Sequence, residues 1–285
     1  MKKVAIQGIA GSFHDIAARK YFSDETIELV PCDTFKELFK VLRKHPDTIG
    51  IAAIENTIAG SLLQNYDLLR ESKLQIFGEQ KLRIKHNLAA LPGQTIAELT
   101  EVYSHPIALM QCGEYLDKHP YLKVVEHEDT AGSAQMIVEK GMKGTASICS
   151  KLAAHTYGLE LLAEGIETNK RNFTRFLLIT NEEQAEVLKK DTPLNKASLV
   201  FAVAHISGAL SKVLTILSFY DINLTKIQSL PIIGREWEYL FYIDLTFDNH
   251  ERYKQSIEAI RPLTRNLQIL GEYKEWTEPQ TPKGA

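Results

Sequence analysis

Short apolar runs alternate with stretches of helical periodicity along the first 180 or so residues. "KVAIQG" leads into "SFHDIAARKYF", "IGIAAIE" into "SLLQNYDLLRES", and "LTEVYSH" into "PIALMQCGEYLDKH". "LKVVEH" then precedes "AGSAQMIVEKG", and "GTASIC" precedes "SKLAAHTYG". Strand then helix, repeated, predicts an α/β layer structure with mostly parallel strands. Residues 77–91, "FGEQKLRIKHNLAAL", lack helical periodicity and read as a crossing from one lobe to a second, with "NFTRFLLIT" carrying the chain back. The expected lobes are about 1–80 with 163–180, and about 81–162.

Residues 181–196, "NEEQAEVLKKDTPLNK", are polar and contain a proline, which reads as a linker with some helical content. A smaller unit is expected over 197–275. "KASLVFAVAH" is strand-like, and Leu210, Val213, Leu214 and Leu217 then fall at i, i+3, i+4 and i+7, one helical face. "INLTKIQSLPII" and "EYLFYIDLTF" read as strands of a hairpin joined through "GRE". "HERYKQSIEAIRPL" is an amphipathic helix and "NLQILGEYKEW" a last strand. The order βαββαβ is ferredoxin-like. Residues 276–285 are expected to be a flexible tail.

Composition narrows the picture mainly by exclusion. A chain of 285 residues suits two domains, or one and a small appendage, and 44% hydrophobic residues can fill a full core. The net charge is -3 with no basic stripe, so neither nucleic acid nor an anionic membrane is an expected partner. No apolar run is long enough to span a bilayer, and the apolar stretch in "MKKVAIQGIAGS" is too short for a signal peptide. Cys32, Cys112 and Cys149 are odd in number and lack C-x-x-C or metal spacing. They read as buried thiols in a reducing, cytoplasmic setting.

The strand-to-helix junctions carry small or hydroxyl residues. "GIAGSFH" offers Gly8 and Gly11 for a tight turn and Ser12 as a helix cap; "ENTIAGS" holds Glu55, Asn56 and Thr57. "SHP" places Ser104 and His105 before a proline suited to a first helical position. "EDTAGS" holds Asp129 and Thr130, and "TASICS" holds Ala146 and Ser147. Ordinary helix capping explains any one of them. Collectively, helix starts converging on a crevice present N–H groups to a small anion, with little need for lysines. His105 and His127 sit where they could titrate usefully. Glu55 is open between a general acid or base and a carboxylate tied to backbone at a strand end. G-x-G-x-x-G, a P-loop, a G-x-S-x-G elbow and zinc-type spacing are absent, so no cofactor and no metal is expected.

Five stretches occur together and in order: "GIAGSFH" (8–14), "AIENTIAGSL" (53–62), "SHPIALMQC" (104–112), "DTAGSA" (129–134) and "NFTRF" (172–176). The set resembles the prephenate dehydratase family, which makes phenylpyruvate in phenylalanine biosynthesis. "GALSKVLTILSFYDINLTKIQSLP" is similar to the ACT regulatory domain that these enzymes carry. The resemblance implies a two-lobed catalytic domain over 1–180, like type II periplasmic binding proteins, and an ACT domain over 197–275. It implies prephenate between the lobes, with Thr174 as the key catalytic hydroxyl beside Asn172, Arg175 and Glu55. Around the substrate it places Ser12, Asn56, Thr57, Ser104, His105, Thr130, Ala146, Ser147 and Phe176. For phenylalanine as effector it implies Gly208, Ala209, Leu210, Asn223, Leu224 and Ser229, in a homodimer or homotetramer. Departures from the family pattern are Ile9 and Ser12 in the first motif, Ala53 and Thr57 in the second, and Ile107 in the third. Gln228 and Leu230 replace a glutamate and an arginine in the second unit.

The implied chemistry suits the residues. Losing carbon dioxide and a ring hydroxyl together aromatises the substrate, which needs no redox cofactor or metal. A donor that bonds the departing oxygen more strongly than the ground-state hydroxyl lowers the barrier, and Thr174 is assigned that role. If 173–177 is extended, Arg175 lies on the opposite face, as a structural clamp or a carboxylate partner. Asn172, on the face of Thr174, orients the hydroxyl or touches substrate. Phe173 and Phe176 read as core packing. Rival readings are arogenate as the substrate, or a non-enzymatic cytosolic sensor of a small carboxylate.

Overall fold

The opening apolar run forms β1 (Lys2–Gln7), with Val4, Ala5 and Ile6 fully buried. Helix α1 (Phe13–Tyr21) starts at Ser12, whose hydroxyl accepts from Asp15 N–H as an N-cap. Then come β2 (Ile27–Cys32), α2 (Phe35–Lys44), β3 (Thr48–Asn56), β4 (Gly60–Ser61), α3 (Leu63–Ser72) and β5 (Gln75–Arg83). β1 lies between β2 and β3 and is parallel to both, while the short β4 turns back antiparallel on β3. The near-continuous burial of β3 is what a strand covered on both faces requires.

A second sheet follows from β6 (Asn87–Ala90), β7 (Glu101–Ser104), α4 (Pro106–Gln111), α5 (Gly113–Asp117), β8 (Lys123–Glu126), α6 (Thr130–Glu139), β9 (Thr145–Cys149), α7 (Lys151–Tyr157) and β10 (Glu160–Ala163). Its order is β10-β6-β9-β7-β8. β7 runs parallel to β8 and β9, but β6 is antiparallel to β9 and β10 antiparallel to β6. The mostly parallel sheet expected from the repeats therefore holds on one side only. β6 enters from the crossing segment instead of from a helix, and nothing in a strand–helix repeat fixes its direction. β11 (Phe173–Thr180) returns the chain to the first sheet, in the order β2-β1-β3-β11-β5.

Gly11 ties the two layers of helices together. Its φ is +84°, and a Cβ there would stand 2.6 Å from Ala153 Cα on α7. The Ser150 hydroxyl donates to Gly11 O at 2.6 Å and Tyr157 donates to Ala10 O at 2.9 Å. The β1–α1 loop is thus clamped against α7 at backbone distance, which only glycine allows.

The polar stretch read as a linker contains α8 (Glu182–Lys189). Beyond it come β12 (Lys196–Ala202), α9 (Ala209–Phe219), β13 (Asn223–Pro231), β14 (Tyr239–Thr246), α10 (His250–Ile260) and β15 (Arg265–Tyr273). The strands form an antiparallel sheet in the order β13-β14-β12-β15, with Phe201, Leu217, Leu245 and Tyr253 in its core. α3 also packs here. The Tyr66 and Tyr242 rings are 5.0 Å apart, and the Tyr242 hydroxyl donates to Asp67 at 2.9 Å. Lys196, buried on β12, reaches Glu79 Oε1 at 2.9 Å, and Trp276 N–H donates to the same oxygen at 3.0 Å. These contacts make residues 63–79 part of this second compact unit, with the chain from 177 onward; the first unit is 1–62 with 80–176. The lobe boundary read from the sequence had assigned 63–79 to the first lobe.

The computed structural model describes residues 1–278; residues 279–285, most of the tail read as 276–285, lie outside them. Among the described residues no helix is long and apolar enough to cross a membrane, and no group of three or more His, Cys, Asp or Glu is placed to hold a metal ion. All three cysteines are free and buried. Burial, with Glu37 and Asp33 nearby, pushes the Cys32 thiol to about 11; burial lifts Cys112 and Cys149 to about 12.

Lys196→Met leaves the Glu79 carboxylate buried with its ammonium partner gone. The expected loss of unfolding free energy, read from denaturant melts, is about 3 kcal/mol. A loss below about 1 kcal/mol, the scale of an exposed pair, would contradict the buried pairing.

Candidate functional site

A cavity of about 390 Å³ lies within the first unit, lined by residues from both of its sheets. β3 and β11 supply Ala53, Asn56, Thr174 and Phe176; the β1–α1 junction supplies Gly8, Ser12 and His14. From the second sheet and its helices come His105, Gln111, Glu128, Asp129 and Thr130. No lysine or arginine is among the lining residues.

The centre of the site is a chain of side-chain amides. Asn56 Oδ1 accepts from Ile58 N–H at 2.9 Å and Ala59 N–H at 2.8 Å, an Asx turn at the end of β3. Two backbone donors on the oxygen fix which end of the amide is which. Its nitrogen therefore faces β11, donating to Asn172 Oδ1 at 2.8 Å, Thr174 Oγ1 at 3.0 Å and Phe173 O at 3.2 Å. Asn172 Nδ2 donates to Gln111 Oε1 at 2.8 Å, and Gln111 Nε2 reaches back to Asn56 Oδ1 at 3.4 Å. His86 Nε2 stands 2.9 Å from Gln111 Oε1. Because that oxygen is an acceptor, His86 donates from Nε2.

The polarity of this chain has a consequence at Thr174. Its oxygen accepts from Asn56, so its own hydrogen is directed elsewhere. The same holds for Ser12, whose oxygen accepts from Asp15 N–H at 3.3 Å. It holds for His105, whose Nδ1 accepts from Ile107 N–H at 3.2 Å, which puts its proton on Nε2. Burial holds the His105 pKa below the ordinary value against the opposing pull of Asp129 and Glu126. His86 is likewise lowered by burial. His14 Nε2 accepts from Ala53 N–H at 3.2 Å, and burial lowers its pKa to about 3. Ser12, His105 and Thr174 thus give the cavity neutral donors, beside the carboxylates of Glu128 and Asp129.

Of the residues singled out from sequence, Ser12, Asn56, His105, Thr130, Thr174 and Phe176 line the cavity. The others are placed differently. Asn172 is fully buried behind Asn56 and Gln111, which favours orienting over touching. Arg175, on the opposite face of β11, brings Nη1 to 3.6 Å from Glu55 Oε2, and neither residue lines the cavity. Thr57 is exposed and pins the start of β11, donating to Arg171 O and accepting from Phe173 N–H, both at 3.0 Å. Ser104, Ala146 and Ser147 do not reach the cavity. Ser104 donates to Ile148 O at 2.6 Å, Ser147 bonds Ser133 at 2.6 Å, and Ala146 packs in the core beneath β9. The helix start after β9 is capped by Ser150 instead. In the second unit Gly208, at φ +76°, precedes Ala209 and Leu210, the first residues of α9. Asn223 and Ser229 are exposed on β13, while Leu224 alternates toward the core.

A family model described as prephenate dehydratase matches residues 4–184. The chain belongs to the prephenate dehydratase family. It is 35% identical over 297 residues to the Arabidopsis thaliana protein arogenate dehydratase/prephenate dehydratase 6, chloroplastic, covering 98% of this chain and 70% of that one. The solved prephenate dehydratase of Arthrobacter aurescens, in complex with L-Phe, matches with TM-score 0.82 and 26% identity over 95% of this chain and 89% of that one. A structure described as GqqA, a novel type of quorum quenching acylases, matches with TM-score 0.84 and 28% identity over 96% and 98% of the two chains.

Set in a prephenate dehydratase family member, the residues that sequence reasoning passed over are Gln111, His86 and His14. Gln111 is the penultimate residue of the "SHPIALMQC" stretch, and His86 lies in the crossing segment. Only the fold brings Gln111 to Asn172 and Asn56, and His86 to Gln111.

The lowered pKa of His14 makes a stability prediction. The unfolded chain takes up a proton near the ordinary value of 6.5, and the folded chain does so only near 3. Stability therefore falls as pH drops from 6.5 toward 3 and is flat in this group above 6.5. The slope from His14 is expected to reach about 1.4 kcal/mol per pH unit between about pH 4 and 6. Denaturant melts of wild type and His14→Gln across that range should diverge by this amount; parallel profiles would contradict a buried neutral imidazole.

Proposed function

We propose that this chain converts prephenate to phenylpyruvate, carbon dioxide and water, with Thr174 donating a hydrogen bond to the departing hydroxyl. The bond from the ring to its carboxylate breaks and that electron pair closes the aromatic ring. The carbon–oxygen bond at the opposite ring carbon gives its pair to the oxygen, which takes up one proton supplied by solvent and leaves as water. As charge grows on that oxygen, a fixed donor bonds it more tightly than it bonded the neutral hydroxyl. The observation that carries this reading is the Asn56 amide, whose pinned orientation makes the Thr174 oxygen an acceptor and frees its hydrogen.

The two carboxylates meet neutral donors rather than cations. Ser12, His105 and Thr130 are proposed to hold them; Asp129 already takes Ala131 and Gly132 N–H, so the start of α6 offers its Thr130 side chain in place of those amides. Arg175 is read as the structural clamp on Glu55. The acylase description of GqqA stays with that protein: the Ser12 hydroxyl at this cavity is a helix cap, not a base-activated nucleophile. The two α/β layers joined by two crossings support a reading like type II periplasmic binding proteins, and the three free cysteines suit a reducing, cytoplasmic compartment.

The segment 197–275 is read as an ACT domain, supported by its βαββαβ order and by the relative solved with L-Phe. Gly208, Ala209, Leu210, Asn223, Leu224 and Ser229 are proposed to receive phenylalanine, in a homodimer or homotetramer. The name of the plant relative makes arogenate the alternative substrate.

Thr174→Val is expected to lower kcat for phenylpyruvate formation by about 10²–10³, while Thr174→Ser keeps most of the rate. A valine variant within a few-fold of wild type would remove Thr174 from the mechanism. Specificity constants for prephenate and arogenate, measured side by side, decide the substrate. Phenylalanine is expected to bind the full chain and shift its activity by about 5–150-fold, the range of ordinary allosteric coupling; equilibrium dialysis showing no binding at millimolar concentration would refute the regulatory reading.

A further inference from the structure

We infer that His14 is a substrate-contacting residue, donating its Nδ1–H to an oxygen of the substrate's 2-oxoacid tail. This rests on the dehydratase reading above and adds a residue to it. His14 is only 8% exposed, yet it lines the cavity. Its Nε2 is occupied by Ala53 N–H at 3.2 Å, so a neutral ring carries its proton on Nδ1. Nδ1 has no hydrogen-bond partner among the described residues and is not one of the unpaired polar atoms sealed from solvent, which leaves it open to the cavity. Phe176 and Phe35 hold the ring in place, edge-on at 5.0 Å and tilted at 5.5 Å.

Position and chemistry both select the tail. Thr174 and Phe176 share one face of β11, about 6.6–6.8 Å apart along the strand, and His14 stands on Phe176. That offset is about the reach from the departing hydroxyl to the opposite end of the ring, where the tail and the ring carboxylate are attached. The ring carboxylate is already met by the donors proposed above, and a further donor there would hold still tighter a charge that disappears as carbon dioxide leaves, and so would oppose the reaction. The tail keeps its charge throughout. A donor there strengthens binding in ground and transition states alike, so its loss is read in KM.

Two variants separate this from a structural role. Glutamine can present an oxygen where Nε2 sits and keep the Ala53 bond, but it offers no donor at Nδ1. Asparagine offers an N–H near Nδ1 and loses the Ala53 bond. His14→Gln is expected to fold with near wild-type stability and raise the KM for prephenate about 10–100-fold, the loss of one bond to an anion, with kcat within a few-fold. His14→Asn is expected to melt lower yet keep KM within a few-fold of wild type. A folded glutamine variant with wild-type KM overturns the inference, as does an asparagine variant whose KM rises as far as that of glutamine. If the asparagine variant does not fold, the KM of the glutamine variant decides alone. Wild type is assayed alongside: turnover of prephenate by wild type with no effect of His14→Gln sinks this inference alone, whereas no turnover by wild type sinks the dehydratase reading and this inference with it.

Discussion

The site depends on one side-chain amide that cannot turn over. Asn56 has two backbone N–H groups on its oxygen, and flipping it would set its NH₂ against both while presenting an oxygen to Asn172 and Thr174. Setting donors against donors costs about 1–3 kcal/mol for each buried group left unsatisfied, and less for the part-buried Ile58 and Ala59 N–H groups. The direction of hydrogen bonding through Asn172, Gln111 and His86 follows from that one orientation. So does the direction in which Thr174 offers its proton. A network of neutral amides is stable when buried where its donors meet acceptors, as Asn56, Asn172 and Gln111 do here, and it holds its polarity without any charge.

That polarity bears on how a cavity without lysine or arginine in its lining would receive the doubly charged anion proposed as its substrate. A buried cation would demand a permanent counter-ion, and Arg175 shows the outcome, with its guanidinium turned to Glu55 on the far face of β11. Side chains that accept from the protein's own N–H groups and donate outward give a favourable potential at lower desolvation cost. Glu128 and Asp129 at the rim work against an anion; the Asp129 carboxylate is partly neutralised by Ala131 and Gly132 N–H.

Much of this was legible in the sequence. Periodicity located β1, β3, β7, β8 and β9 with the helices that follow them, and the βαββαβ segment, but passed over β2, α2 and β10; small polar residues at strand-to-helix junctions pointed to Ser12, Asn56 and Thr130, and the family resemblance pointed to Thr174. The misplacements share a cause. A serine written just before or within a strand end, as at Ser104 and Ser147, looks the same in sequence whether it faces a cleft or bonds a neighbouring strand, and only the register of β7 and β9 decides. Gln111 and His86 were hidden because their partners lie 61 and 25 residues away. Residues 63–79 looked like one more strand–helix repeat; their attachment to the C-terminal sheet rests on Tyr242 and Lys196, far along the chain.

The three cysteines carry a practical corollary. With thiols lifted to about 11 and 12 by burial, Cys32, Cys112 and Cys149 hold almost no thiolate at neutral pH and are poor nucleophiles toward maleimides or disulfide reagents. The natural chain is thereby slow to react with such probes. A single cysteine engineered on the surface would be the preferred labelling site, and spectroscopic reporters could be attached without first stripping the protein of its own sulfur.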